Sequence, residues 1–167
     1  MIAASKSLSG YGLPLSVVLI KKELDEWEPG EHNGTFRGFN HAFVTATAAL
    51  EYYWKTPDFA EEVQFKGKHI YNLLQELVDI YSPHFIKVCG RGMKLGIECA
   101  DHRQAAMITQ KAFEYGLIIE RSGSYDEVIK CMMPLTITNA EIKEGIGIIE
   151  KATNEVREAI KRGSQAD

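Results

Sequence analysis

Lys6 lies in the run Ser5-Lys6-Ser7-Leu8-Ser9-Gly10-Tyr11-Gly12-Leu13-Pro14, directly before the apolar stretch Leu15 to Ile20. A lysine among small residues, followed by a glycine-rich turn, can do amine chemistry. Its nitrogen can condense with an aldehyde, and the small neighbours leave room for a planar ring. That chemistry needs a neutral amine, a state that desolvation or a nearby positive charge favours. The competing reading is a solvated lysine close to the start of the chain, since lysines are mostly exposed.

The chain around Lys6 has the composition of a globular protein. Its 167 residues are 45% hydrophobic and 25% charged, with a formal net charge of -4. Lys and Arg are scattered and form no polybasic run, so no nucleic-acid partner is expected. No apolar run approaches the roughly 20 residues of a transmembrane helix, and no membrane partner is expected. Residues 1–12 lack the basic and apolar regions of a secretory leader. The three cysteines, Cys89, Cys99 and Cys131, show no CxxC spacing and read as buried thiols of a reducing compartment. The histidines lack ligand spacing to them, so no metal site is expected. A cytoplasmic protein is the expectation.

The elements that must position Lys6 follow from pattern. Residues 1–14 read as a loop and Val17 to Ile20 as a short strand. Lys21 to Asn33 reads as a surface excursion broken by Pro29-Gly30, and Gly34 to Gly38 as a second loop bracketed by glycines. Asn40 to Lys55 has little charge and no breaker, which predicts a helix buried on most sides. Thr56-Pro57-Asp58 predicts a new helix with Thr56 as N-cap and Pro57 at its first position. Its apolar face is Val63, Ile70, Leu73, Leu74, Leu77 and Val78, and Tyr81-Ser82-Pro83 ends it.

A hairpin is expected next, with strands Phe85 to Cys89 and Met93 to Cys99 about a Gly90-Arg91-Gly92 turn. Asp101 to Tyr115 reads as an amphipathic helix stopped by Gly116. Short strands are expected at Leu117 to Glu120 and Val128 to Cys131. Thr138 and Glu141 have capping-box spacing ahead of a helix that buries Ile142, Ile146, Ile149 and Val156 and frays at Arg162-Gly163-Ser164. Trp27 and Trp54 are expected to pack. From about residue 82 the pattern is a compact α+β unit on a largely antiparallel sheet. The first 45 residues hold too few elements to satisfy their own backbone, which suggests part of something larger.

Four motifs, in order along nearly the whole chain, resemble the class III pyridoxal-phosphate aminotransferases. They are Ser5 to Pro14, Glu31-His32-Asn33-Gly34-Thr35-Phe36-Arg37-Gly38, Gly90-Arg91-Gly92-Met93-Lys94-Leu95-Gly96-Ile97-Glu98, and Val128 to Ile137 with its Met133-Pro134-Leu135-Thr136-Ile137 end. The first two are nearest to the diaminobutyrate-forming branch, whose members exchange an amino group between glutamate and aspartate 4-semialdehyde. The implied fold is the α/β fold-type I transferase. In it this chain supplies mainly the α+β C-terminal small domain and the edge of the large domain: 1–45 as large-domain remnant, 46–81 as connecting helices, 82–167 as small domain.

The resemblance also implies roles. Lys6 is the catalytic and cofactor-binding lysine, holding pyridoxal 5'-phosphate and then moving the substrate proton. Thr35 binds the cofactor phosphate across a homodimer interface, a task its hydroxyl and glycine-bracketed backbone suit. Arg91 contacts a substrate carboxylate or supports the cleft. Lys130 stands where many members carry an arginine for a substrate carboxylate; it keeps the charge and loses the bidentate fork. Phe39 departs from the small polar residue expected after Arg-Gly.

The family's phosphate loop, ring-stacking aromatic and aspartate at the ring nitrogen all precede the lysine, and only five residues precede Lys6 here. A C-terminal fragment with an incomplete active site is therefore expected. Two alternatives stand beside it. One is a portion of another ω-aminotransferase, of ornithine, putrescine or 4-aminobutyrate type. The other is a non-catalytic module that associates with full-length protomers.

Overall fold

Strand β1 (Ile2–Ser5) pairs antiparallel with β2 (Ser16–Leu19), in register from Ile2 opposite Leu19 to Ser5 opposite Ser16. The computed structural model describes residues 1–10, 12–35 and 37–163. These fall into two units, Met1–Ala60 and the residues from Glu61 onward.

In the first unit the expected loop over residues 1–14 is instead β1 followed by a 3-10 turn, Lys6–Ser9. The small residues of β1 have little strand propensity of their own, and pairing with Val17 and Val18 makes the strand. After β2 the chain is irregular apart from a 3-10 turn at Lys22–Leu24, and residues 21–33 are exposed, as the breakers suggested. Helix α1 (Asn40–Tyr53) ends two residues before Lys55. It is not buried on most sides. Only Ala42 and Ala46 are covered, while Phe43, Val44, Leu50 and Tyr52 are exposed. The cause is the small contact it makes, which is with the Lys6–Ser9 turn. Trp27 and Trp54 do not pack in a core either; both are about half exposed. Trp54 meets Phe59 edge-on at 5.1 Å.

Helix α2 (Asp58–Tyr81) starts at Asp58, so Pro57 precedes the helix instead of opening it. The Thr56 hydroxyl donates to the Asp58 carboxylate at 3.0 Å. The expected stripe is present in the second unit: Ile70, Leu74, Leu77 and Val78 are buried, with Val63 and Leu73 beside them. The sheet of that unit is antiparallel throughout, in the order β3 (Phe85–Arg91), β4 (Lys94–Cys99), β6 (Val128–Met132), β5 (Glu120–Ser122). Alternate residues Leu95, Ile97, Cys99, Ile129 and Cys131 join the core with the helices, and Lys94, Glu98, Lys130 and Met132 take the other face.

The hairpin differs from its expected form. Gly90 and Arg91 belong to β3, and the loop is Gly92 and Met93 alone. Gly92 has φ +60°, the first position of a two-residue hairpin turn. Gly90 is required for another reason: a Cβ there would stand 2.1 Å from the Lys94 carbonyl oxygen.

Helix α3 (His102–Glu114) has Asp101 as N-cap, accepting from the Arg103 amide at 2.8 Å. At its other end Gly116 is left-handed, and the Leu117 amide reaches the Ala112 carbonyl at 2.9 Å. That bond occupies Leu117, and β5 begins at Glu120 instead of Leu117. Helix α4 (Asn139–Gly163) opens with the expected capping box: Thr138 amide to Glu141 at 2.8 Å, Glu141 amide to Thr138 at 3.2 Å. The expected fray reaches Ser164, outside the described residues. Among the described residues no helix is long and apolar enough to cross a membrane.

Candidate active site

Lys6 leaves β1 in the left-handed region, with φ +58°. A side chain with a Cβ holds that conformation at a cost of about 1–2 kcal/mol. Among the described residues Asp126 is the other non-glycine case. Three contacts fix the turn. Ser9 is fully buried, and its hydroxyl donates to the Lys6 carbonyl at 3.4 Å. The Gly10 amide donates to Ser7 at 3.0 Å. Gly10 itself, at φ +75°, lies so close to α1 that an added Cβ would stand 2.5 Å from Ala49 Cβ. Helix α1 is thus the abutment for the strained lysine turn.

Lys6 opens on a cavity of about 1330 Å³ in the first unit, walled also by β2, Trp27, His32, Arg37 and Phe43. Its described walls carry Lys6, His32 and Arg37 and no carboxylate, so the cavity is electropositive. The loop that brings Arg37 there is closed on itself. The Arg37 guanidinium donates to the His32 carbonyl at 3.2 Å and meets the His32 ring. The Arg37 amide donates to Gly34 at 3.1 Å, and His32 lies against Trp27 with ring centroids 4.2 Å apart. Gly34 leaves space that the Arg37 side chain uses: an added Cβ would be 3.1 Å from its Nε.

The sequence-expected residues are therefore distributed as follows. Lys6 lines the cavity. Thr35, exposed on the same loop as Arg37, is not among its walls. Arg91 and Lys130 belong to the second unit. Arg91 ends β3, exposed, directly opposite Lys94. Lys130 is on β6, half-buried and ion-paired with Glu120 across the β5–β6 ladder. The hydrogen bond from Lys130 holds the Glu120 carboxyl below its usual range. Sequence reasoning missed His32 and Arg37 as cavity walls; the signal was Gly34 three residues before Arg37.

The thiols stand apart from this chemistry. Burial pushes Cys99 and Cys131 up to about 12, and raises half-buried Cys89 as well. Among the described residues no group of three His, Cys, Asp or Glu side chains is placed to hold a metal.

Known proteins resemble this chain in sequence and in fold. The diaminobutyrate–2-oxoglutarate transaminase of Vibrio parahaemolyticus is 45% identical over 166 residues, covering 99% of this chain and 39% of that protein. The enzyme of the same name from Sporosarcina pasteurii is 49% identical over 158 residues, covering 93% and 37%. Among solved structures, the ornithine aminotransferase of Toxoplasma gondii, described with partial occupancy of PLP at its active site, superposes with a TM-score of 0.83. It is 25% identical and covers 95% of this chain and 37% of its own. The acetylornithine aminotransferase of Elizabethkingia anophelis gives a TM-score of 0.78 at 27% identity, covering 92% and 40%. The chain spans about two fifths of the length of the curated relatives it matches. Residues 1–153 match the Aminotransferase class-III family, with the lysine turn, the Gly34–Gly38 loop and the sheet hairpin all inside the match, and the chain belongs to that family.

Proposed function

We propose that this chain is the lysine-bearing and C-terminal portion of a pyridoxal-phosphate-dependent transaminase that moves an amino group between L-glutamate and L-aspartate 4-semialdehyde, giving L-2,4-diaminobutyrate and 2-oxoglutarate. The observation that carries this reading is Lys6: a strained, left-handed lysine on an acid-free cavity, in a chain of this family. The fit to the cofactor is chemical. A phosphate and an aldehyde ask for positive charge and an amine, and the cavity walls offer Arg37, His32 and Lys6. When bound, pyridoxal phosphate supplies an electron sink for the substrate carbanion.

Lys6 Nζ would hold the cofactor and, when free, would carry the proton to and from the substrate carbon. The exposed position of Thr35, away from the Lys6 cavity, supports a role toward the phosphate in a second protomer of a homodimer. Arg91 and Lys130 are the substrate-carboxylate candidates. For Lys130 to act so, it must leave Glu120. Residues 1–45 then serve as the edge of the cofactor-binding domain, 46–81 as connecting helices and 82–167 as the small domain. The three free cysteines support a reducing, cytoplasmic setting.

The test is an amino-transfer assay with pyridoxal phosphate and aspartate 4-semialdehyde, comparing glutamate, ornithine, putrescine and 4-aminobutyrate as donors. The expected result is a preference for glutamate and turnover far below that of a complete diaminobutyrate transaminase. Preference for another donor assigns a different ω-aminotransferase. Full turnover contradicts the reading of this chain as only a portion of the catalyst.

A further inference from the structure

Asn33 and Gly34 stand side by side on the loop that brings His32 and Arg37 to the Lys6 cavity. An asparagine followed by glycine can react with its own main chain, because the missing side chain lets the next amide nitrogen approach. The other asparagines are Asn40, Asn72, Asn139 and Asn154, and each is followed by a residue with a side chain. Each also lies in a helix, whose ψ of about −42° holds the following nitrogen off the side-chain carbon. Asn33 has neither restraint.

Both residues are exposed and lie in irregular backbone. Among the described residues the Gly34 amide donates to no acceptor. The Asn33 side-chain nitrogen makes a single hydrogen bond among them, to the Gly30 carbonyl at 3.3 Å. The Arg37 side chain crosses Gly34: its Nε lies 3.1 Å from the place a Gly34 Cβ would take, and the Arg37 amide donates to the Gly34 carbonyl at 3.1 Å. The guanidinium bonds to His32 and not to a carboxylate, so its charge is not neutralised. A positive charge there favours the negative charge that the Gly34 nitrogen must take on before it attacks.

We infer that Asn33 is a site of spontaneous self-modification, converted through a cyclic imide to aspartate and isoaspartate. The Gly34 nitrogen loses its proton to solvent base and bonds to Asn33 Cγ. The Cγ–Nδ2 bond breaks, and the nitrogen leaves as ammonia after taking a proton from water. Water then opens the imide at either carbonyl, giving aspartate or, with the main chain rerouted through the side chain, isoaspartate. No oxidant or reductant takes part. Each event adds one negative charge to a chain of formal net charge -4, next to His32, a wall of the acid-free cavity. The reaction does not depend on the transaminase reading.

The test is incubation of the full chain without pyridoxal phosphate at mildly alkaline pH. The chain is kept dilute enough to be monomeric by size exclusion, so that no second protomer covers the loop. Isoaspartate is read by enzymatic carboxyl methylation and placed by mass spectrometry of the peptide that holds Asn33. Ammonia release, an acidic shift in isoelectric focusing and isoaspartate at Asn33 are expected to grow together and to quicken as pH rises, with the four helical asparagines intact. N33Q should abolish all three signals, and G34A should slow them. R37Q should react about fivefold more slowly than wild type when folded, and at the wild-type rate in urea. An Asn33 that stays intact, or reacts no faster than the helical asparagines, overturns the inference. Equal rates for folded wild type and folded R37Q overturn the part assigned to Arg37.

Discussion

Lys66 of α2 donates to the main-chain oxygen of Leu135, 69 residues further along, at 3.3 Å. The lysine is only 6% exposed, and it also pairs with Glu62 one helical turn earlier at 2.6 Å. Leu135 belongs to the connection between β6 and α4, just beyond the strand that carries Lys130. The neighbouring Gly67 sets α2 against Gly92 of the hairpin. Two successive helix residues therefore hold the two loops at this end of the sheet.

Gly67→Ala is expected to destabilise the second unit by about 1–3 kcal/mol, because the new methyl meets backbone that cannot swing aside. Lys66→Met keeps the buried stem and should cost less than Lys66→Ala, which leaves a cavity as well as an unmatched Leu135 carbonyl. Denaturant unfolding midpoints measure both. Equal midpoints for wild type and Gly67→Ala would show that the contact is not tight.

Lys6→Asn removes the reactive amine and places a residue that tolerates the left-handed region better. A stability gain of about 1 kcal/mol is expected, with no comparable gain for Lys6→Ala. The comparison separates relief of backbone strain from simple loss of a charge. It expresses a trade of stability for function at the proposed nucleophile.

The capping box of α4 sets a pH dependence. Hydrogen bonds from the Thr138 amide and hydroxyl hold the Glu141 carboxyl below its ordinary value of 4.5. A depressed folded value means that the contribution is complete above the unfolded value and is lost as the pH falls through the folded one. Tm against pH should show wild type above Glu141→Gln at neutral pH, the two converging in acid below the ordinary glutamate range. Thr138→Ala should cost about 1 kcal/mol at neutral pH.

Thiol labelling at neutral pH should mark Cys89 first, slowly, with Cys99 and Cys131 silent until the chain is unfolded. Burial raises all three, the last two to about 12, and leaves them as protonated, poor nucleophiles. Fast native labelling of Cys131 would contradict the packing of β6 into the core.

What the sequence made legible was local chemistry. Thr138 with Glu141, Gly116 after Tyr115, and the Ile70–Leu74–Leu77–Val78 stripe each carry their signal within a few residues, and the structure holds all three. Lys6 drew notice by the same route, from the small residues and glycine turn around it. What escaped depends on partners distant in the chain. Strand β1 exists through its pairing with β2, and Gly90 is set by a close approach of Lys94 instead of a turn. The exposure of α1 was invisible because an apolar pattern states only that a face can be covered. His32 and Arg37 became cavity walls through a loop closure that no periodicity records.

The transaminase reading turns on the Lys6 amine as the cofactor nucleophile. The most direct measurement is borohydride reduction of the 167-residue chain after incubation with pyridoxal phosphate, followed by peptide mapping. The reduced label is expected to be concentrated on Lys6 and absent from that site in Lys6→Asn. Lys6 is itself exposed, so label spread equally over Lys6 and other exposed lysines such as Lys21 and Lys22 would contradict it.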